Sequence, residues 1–203
     1  MPIPQIALVK DSILLEPLAQ RHFTGIFASV SDPSVWRHMG FADLSDERAV
    51  RAWFDSALEE PSRGTGAPFA IIDQNSGTVL GSTSLYEIHL RNKRCELGRS
   101  WLIPRARRTG ANTRSKLLLL THAFETMAME RVQLKASVGN GVSRAAIESL
   151  GAQFEGILRN FSALPGDRRT DTALYSIIRS EWPQVKQVLL TRLARPFPET
   201  PLP

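Results

Sequence analysis

The sequence predicts an α/β protein: a mixed, mostly antiparallel sheet flanked by helices. Three observations carry that prediction. Three strand-like stretches joined by short polar turns follow one another between Pro68 and Ile103. The strongest helical stripe in the chain, Asn112 to about Met129, comes directly after them. A strictly alternating stretch, Arg131 to Val138, follows that helix.

The elements are justified in order. Ile6, Leu8 and Ile13-Leu14-Leu15 read as an edge strand that ends at Pro17. His22, Phe23, Ile26 and Phe27 recur at helical spacing between Ala19 and Val30, and Pro33 breaks the pattern. Ser45-Asp46-Glu47 opens a second helix with acidic groups in its first turn. Val50, Trp53, Phe54 and Leu58 line one face of it, and it stops before Pro61. Pro61 to Gly66 is a loop, Pro68 to Asp73 a short strand, and Asn75-Ser76-Gly77 a hairpin turn. In the next strand, Val79 to Leu90, Tyr86, Ile88 and Leu90 fall on one face and Glu87, His89 and Arg91 on the other. Cys95 to Ile103 is the third strand, ended by Pro104.

The main helix carries Leu117, Leu120, Phe124 and Met127 on one stripe, broadened by Leu118, Leu119 and Ala123. In the strand that follows, Val132, Leu134, Ala136 and Val138 face one way. Gly139-Asn140-Gly141 turns the chain into a short helix that stops at Gly151. Ala152 to Arg159 and Thr170 to Ile178 are the last two strands, with Pro165-Gly166-Asp167 in their connecting loop, and a final helix starts near Ser180. Residues 1–195 read as one domain and residues 196–203 as a mobile, proline-rich tail.

Composition narrows the function. Charged residues at 22% and hydrophobic residues at 42% are ordinary for a soluble globular chain. Cys95 is the only cysteine, which excludes an internal disulfide and a Cys/His metal framework around it and makes a reducing cytoplasm the simplest compartment. No secretory leader and no membrane span is expected, and no metal. The net charge of +5 has two readings, nucleic-acid binding or a basic enzyme with an anionic cofactor. The second is favoured, because the basic residues are scattered and no aromatic-basic interleaving marks a strand-binding face.

The densest basic stretch, Arg105 to Arg114, lies where a strand ends, a glycine turn follows and a helix begins. Unpaired N–H groups at a helix start converge on one spot and the helix dipole favours an anion there. Gly110 permits close approach of the backbone. Arg107-Arg108-Thr109-Gly110-Ala111-Asn112 is therefore a candidate diphosphate cradle; the plain alternative is a strand-to-helix turn with solvated arginines. It is neither a Walker motif nor the dinucleotide fingerprint.

The segment Glu96 to Glu125, ELGRSWLIPRARRTGANTRSKLLLLTHAFE, resembles the GNAT acyltransferase superfamily, in the branch of the ribosomal-protein N-terminal acetyltransferases (the RimJ/RimL type). Leu15-Glu16-Pro17-Leu18, Asn140-Gly141-Val142-Ser143 through Leu150-Gly151-Ala152, and Asp171 through Ile177 support it in the expected order. The resemblance implies the GNAT fold, with the sheet splayed between the strand ending at Ile103 and the strand starting at Arg131, and acetyl-CoA as cosubstrate. In its cofactor motif, Gln/Arg-x-x-Gly-x-Gly/Ala, Arg107 and Gly110 fill the first and fourth positions and Asn112 departs at the sixth. It implies diphosphate contacts across Arg107 to Thr113, a pantetheine arm along Trp101, Leu102 and Ile103, and Asn140 and Ser143 near the cofactor.

Many family members have a Tyr at the position of Ile147 to protonate the leaving thiolate; Ile147 cannot, which leaves Ser143 as the acid, unless it only caps its helix. Glu96 is the expected base for the amine, or else a strand Glu that pairs with Arg94 or Arg99, or orders water. Asp171 and Tyr175 are expected to shape the site and the last hairpin. His22 matches a histidine common in the branch, His122 reads as a packed or surface residue, and His38 and His89 have no obvious partner. The implied reaction is acetyl transfer to a primary amine, of a protein N-terminus or a small molecule; a degenerate CoA-binding protein is the third reading, kept open by Asn112 and Ile147. Acceptor choice is expected from residues 19 to 60 and the Asn160 to Arg169 loop, which carry Trp36, Trp53, Arg168 and Arg169. A homodimer is common in the family, though no feature of this sequence requires one.

Overall fold

A computed structural model describes residues 2–35, 46–164 and 168–197. Within them the strands are β1 (Leu8–Lys10), β2 (Ile13–Pro17), β3 (Gly66–Asp73), β4 (Val79–His89), β5 (Arg94–Leu102), β6 (Arg131–Ser137), β7 (Gln153–Leu164) and β8 (Arg168–Ile178). The helices are α1 (Phe23–Ser29), α2 (Glu47–Arg63), α3 (Ala111–Thr121), α4 (Gly141–Glu148) and α5 (Trp182–Leu193). The strands form one sheet in the order β1-β2-β3-β4-β5-β6-β8-β7, antiparallel throughout except for the parallel pair β5–β6. A parallel pair needs a crossover, and α3 supplies it.

The sheet is covered on both faces, as the predicted class requires. On one side α3, α4 and α5 bury Leu119, Leu120, Phe124, Ile147 and Leu189 with Leu85, Leu97 and Leu134 of the strands. On the other, α1 and α2 bury Phe23, Ile26, Val50 and Phe54 with the Trp101 ring.

Several elements differ from the sequence expectation. The N-terminal strand is a hairpin, β1 with β2, turned at Asp11 (φ 51°). Helix α2 starts at its Asp46 cap, whose side chain accepts from Arg48 N–H (2.8 Å), but it runs through Pro61 to Arg63. Proline there removes one hydrogen bond in the last turn, and Gly64 (φ 72°) closes the helix by donating to the Glu60 and Pro61 carbonyls. The main helix ends early. After Thr121 it widens into one π turn, His122–Thr126, which lets Met127 N–H reach His122 O at 2.9 Å.

The alternation expected in β4 also fails. Tyr86 pairs with Glu96 and His89 with Arg94, so β4 carries one extra residue there, and Glu87 adopts φ 47°. This bulge sends Ile88 into the α3 core with Leu85, while Tyr86 turns to the opposite face. The last two strands are longer than expected. Leu158 pairs with Thr172 and Ser162 with Thr170, so residues 159–161 bulge against Asp171, and much of the expected Asn160 to Arg169 loop is strand. Phe197, expected in a mobile tail, packs its ring on the Arg114 guanidinium at 5.5 Å. Trp36, His38, Ser45, the Pro165-Gly166-Asp167 turn and residues 198–203 lie outside the described residues.

Candidate active site

The parallel strands β5 and β6 pair only at Arg94–Arg131, Cys95–Val132 and Glu96–Gln133. Beyond Glu96 and Gln133 they diverge, and the sheet opens into a V. A second bulge lies on β5 just past the apex: Ser84 pairs with Gly98 but Ser82 with Trp101, and Arg99 sits at φ 48°. Ile103 N–H donates to Leu80 O of β4 (2.8 Å). Backbone groups of successive strand residues point to opposite sides, so those of Leu102 face the opening. Its carbonyl there accepts from Arg107 Nε at 3.2 Å. Because β5 and β6 run parallel, α3 and α4 both start at the same open end of the V.

At that end the chain makes one 3-10 turn, Pro104–Ala106, and then the basic turn. Arg108 (φ 64°) and Gly110 (φ 85°) are both left-handed. Thr109 Oγ1 donates to Ala106 O (2.8 Å) and Arg114 donates to Thr109 O (3.2 Å), fixing the turn from within. Among the described residues the N–H groups of Arg108, Thr109, Gly110, Asn112 and Thr113 have no partner, as a cradle for an anion requires. Arg107 and Arg108 are exposed beside them. Arg107 also donates to Ser34 Oγ at 3.1 Å. Arg114 is committed elsewhere: its Nε donates to Asp11 Oδ2 (3.0 Å), and that contact holds the Asp11 carboxyl below its usual range. Asn112 takes the second position of α3 in ordinary helical geometry and is half-buried.

Asn140 caps α4, its Oδ1 accepting from Ser143 N–H at 3.0 Å. The cap is therefore Asn140; the half-buried Ser143 side chain does not fill that position. Ile147 of that helix and Leu150 just beyond it are buried in the core under the sheet.

Glu96 is 1% exposed and stands at the apex. Tyr86 OH donates to its Oε1; Gln133 Nε2 (2.9 Å) and Lys135 Nζ (2.7 Å) meet its Oε2. The expected partners Arg94 and Arg99 are not used; Arg99 pairs with Glu60 of α2. Burial and the neighbouring Glu96 charge push the Tyr86 hydroxyl far above its ordinary range, so it serves as a donor. Lys135 also lies 3.7 Å from Glu87 and 4.8 Å over the Phe161 ring. This network lies on the α1/α2 face. Sequence reading missed Lys135 and Gln133; the signal was their alternation with Val132 and Leu134, which puts two polar groups on the face opposite the core.

Lys116 was missed too. It points from α3 into the protein, 6% exposed, and donates to Ser100 Oγ and Thr83 Oγ1 (3.3 Å), with no carboxylate beside it among the described residues. Burial lowers its ammonium to about 7. Trp101 offers only backbone to a ligand, since its indole packs 5.1 Å from Trp53 and donates to Ser29 Oγ (2.9 Å). Burial together with the Glu96 charge pushes the Cys95 thiol to about 12, leaving it inert as a nucleophile.

His22 is structural: Ala19 N–H donates to its Nδ1 (3.1 Å) and its Nε2 meets Glu16 (2.8 Å), the pattern of a neutral ring. His122 is buried, which lowers its pKa. Asp171 accepts from Asn160 N–H (2.7 Å) and so fixes the β7 bulge. The buried Tyr175 donates to Glu148 (2.8 Å) and accepts from Arg144 (3.1 Å), which ties β8 to α4.

An unpaired strand edge that leads to two helix starts, one of them a turn of free N–H groups, is a seat for an extended ligand with amides along its length and an anionic head. A pantetheine arm with a diphosphate has that shape, which defines the class as a CoA-binding acyltransferase. Residues 12–153 match the acetyltransferase (GNAT) domain model, and the chain belongs to that family. The chain is 33% identical over 106 residues to YdaF of Bacillus subtilis (strain 168), which is provisionally named a ribosomal N-acetyltransferase. That match spans 52% of this chain and 57% of YdaF. The crystal structure of a GCN5-related N-acetyltransferase from Brucella melitensis superposes with a TM-score of 0.85 at 30% identity, covering 95% of this chain and 89% of that one. An acetyltransferase from Salmonella typhimurium that modifies the N-terminal serine of ribosomal protein L7/L12 shares the fold, with a TM-score of 0.76 at 20% identity over 85% of this chain and 99% of that one.

Proposed function

We propose that this chain transfers an acetyl group from acetyl-CoA to the α-amine of a protein or peptide N-terminus. The observation that carries the reading is the opening of β5 from β6 beyond Glu96 and Gln133, with α3 and α4 starting at its mouth. The name of YdaF supports a protein acceptor.

The free N–H groups of the Arg107 to Thr113 turn hold the diphosphate, with Asn140 and Ser143 across the opening. The unpaired strand edge at Leu102, between Trp101 and Ile103, lies along the pantetheine arm. Bound acetyl-CoA supplies the acetyl group already activated as a thioester. The Leu102 N–H, free of β4, is the donor placed to polarise the thioester carbonyl; that of Ile103 is used by Leu80. The Ser143 hydroxyl protonates the departing thiolate and regains its proton from solvent, to which Glu96 returns the one taken from the amine. Glu96 receives the proton of the amine by way of water, since Tyr86, Gln133 and Lys135 already cover its oxygens. Holding two substrates in line supplies most of the rate, so few side chains are needed.

Thiol release from acetyl-CoA, measured against peptides with serine, alanine or methionine N-termini and against polyamines, amino acids and aminoglycosides, tests the reading. Turnover on peptides alone supports it. Turnover on a small amine alone moves the chain to small-molecule acetylation, and tight CoA binding without any turnover makes it a degenerate binder. Ser143→Ala should lower kcat by roughly a hundredfold while CoA still binds; a kcat within twofold of wild type removes Ser143 from the role of acid.

A further inference from the structure

We propose that Phe197, in the C-terminal tail, is a positioning residue that holds the Arg108–Gly110 turn in the shape that receives the CoA diphosphate. The inference rests on the reading of that turn as the cofactor cradle.

Helix α5 runs antiparallel to α3. Its first residue, Trp182, stacks on Phe124 beyond the far end of α3 (5.4 Å), so the chain leaving Leu193 travels back toward the start of α3. There the Phe197 ring meets the turn. A Cβ placed on Gly110 would lie 2.7 Å from Phe197 Cε2 and 2.8 Å from Cζ, and would also strike the Arg114 guanidinium. The space a side chain would fill at Gly110 is thus occupied by the tail and by Arg114. The same guanidinium donates to Thr109 O, is anchored by Asp11, and is covered by the Phe197 ring at 5.5 Å.

The turn needs such support. It holds a non-glycine residue, Arg108, at φ 64° beside Gly110 at φ 85°, and the side-chain hydrogen bonds that brace it run through Thr109 and Arg114 rather than through Arg108. Phe197 is suited to the task by its neighbours in sequence, Pro196 and Pro198. Proline fixes its own φ and drives the residue before it into an extended conformation, so the ring is delivered with little freedom left to lose.

The test is CoA binding by calorimetry to the full chain, to Phe197→Ala, to Phe197→Tyr and to a chain ended after Arg195, with thermal melting of each in the absence of CoA. If the unsupported turn keeps its receptive shape about one-tenth of the time, Phe197→Ala and the shortened chain bind CoA roughly tenfold more weakly. Phe197→Tyr, which keeps the ring, binds as wild type, and the melting temperatures stay together. Equal affinity of Phe197→Ala and wild type overturns the proposal. Tighter binding by Phe197→Ala also overturns it, because the ring would then compete with the cofactor. If Phe197→Ala melts early, the shortened chain and Phe197→Tyr decide: loss in the first without loss in the second upholds the role, and any other pattern overturns it. A wild-type chain that binds no CoA refutes the cofactor reading itself, a separate result.

Discussion

Lys116→Met should make the protein more stable at neutral and lower pH. Lys116 is buried and, among the described residues, its hydrogen-bond partners are two hydroxyls, Ser100 and Thr83. Its ammonium titrates at about 7 in the fold against 10.5 for the unperturbed group, and the cause is desolvation. That difference corresponds to roughly 5 kcal/mol at ~1.4 kcal/mol per tenfold in proton affinity. The sign follows from the two states. Below pH 7 the lysine is charged in both, and burying the charge costs the full amount. Between 7 and about 10.5 the folded lysine is neutral while the unfolded one stays charged, so the cost fades as pH rises and vanishes above that range.

Methionine matches the lysine stem without the charge. It forfeits two hydrogen bonds, about 1–2 kcal/mol, but the hydroxyls it abandons already bond each other at 2.8 Å. The variant should therefore gain about 3 kcal/mol at pH 6, and the gain should shrink steadily by pH 8.5. Urea unfolding of both proteins at pH 6, 7.5 and 8.5 measures it, and groups common to both cancel in the difference. A gain that does not change with pH, or a loss at pH 6, refutes the assignment of Lys116 as a destabilised buried base.

Two further substitutions probe the site. Gly110→Ala forces a β-carbon into φ 85° and against Phe197 and Arg114, so CoA binding by calorimetry should weaken by at least about tenfold; unchanged affinity would remove this turn from the cofactor site. Glu96→Gln leaves the largely buried Lys135 with only Glu87 as a charged partner at 3.7 Å. The cost is about 2–3 kcal/mol, seen as a fall in melting temperature of roughly 5–10 °C; an unchanged melting temperature contradicts the apex network.

The sequence was legible wherever a local rule decides. The start of α2 at Asp46-Glu47, the turn into α4 at Gly139-Asn140-Gly141 and the glycine turn at 110 each follow from residues within one helical turn of one another, although the side chain that caps α4 is Asn140 and not Ser143. The Arg107 to Asn112 turn is legible as a candidate anion site from its own residues, whereas the opening of the sheet and the candidacy of Ser143 follow from the family resemblance and not from local chemistry. What stayed hidden depends on contacts distant in sequence. Lys116 adjoins the apolar stripe of α3, where a charged side chain reads as solvated, and only Ser100 and Thr83, distant in sequence, show that it points inward. Nothing near Phe197 reveals that α5 returns it to Gly110. The strand alternation read from β4 failed at Glu87 because a bulge adds one residue, and a period of two cannot show a phase shift it does not contain.

The bulges also bear on why the sheet opens where it does. Three non-glycine residues on three strands, Glu87, Arg99 and Asn160, sit at φ 47°, 48° and 54°. Each such residue costs roughly 1–2 kcal/mol and persists only where the surroundings enforce it. Here the enforcing contacts converge on the apex. Glu87 reaches Lys135, Arg99 reaches Glu60 beside Tyr86, and the bulge at Asn160 brings Phe161 over Lys135. Lys135 in turn is held by Glu96, the last β5 residue paired with β6. Past that point the extra residue at Arg99 shifts the phase of β5, and its outward groups no longer match those of β6. An unpaired edge inside a sheet is a liability unless something binds it. Arg99→Gly tests the two parts separately: glycine adopts φ 48° freely, so the bulge and the opening persist, while the Glu60 carboxylate and the Tyr86 ring lose their cation. The variant should melt lower by roughly 2–4 °C with CoA affinity by calorimetry within about twofold of wild type, and a matching tenfold loss of CoA binding would tie the Glu60–Arg99 pair to the opening.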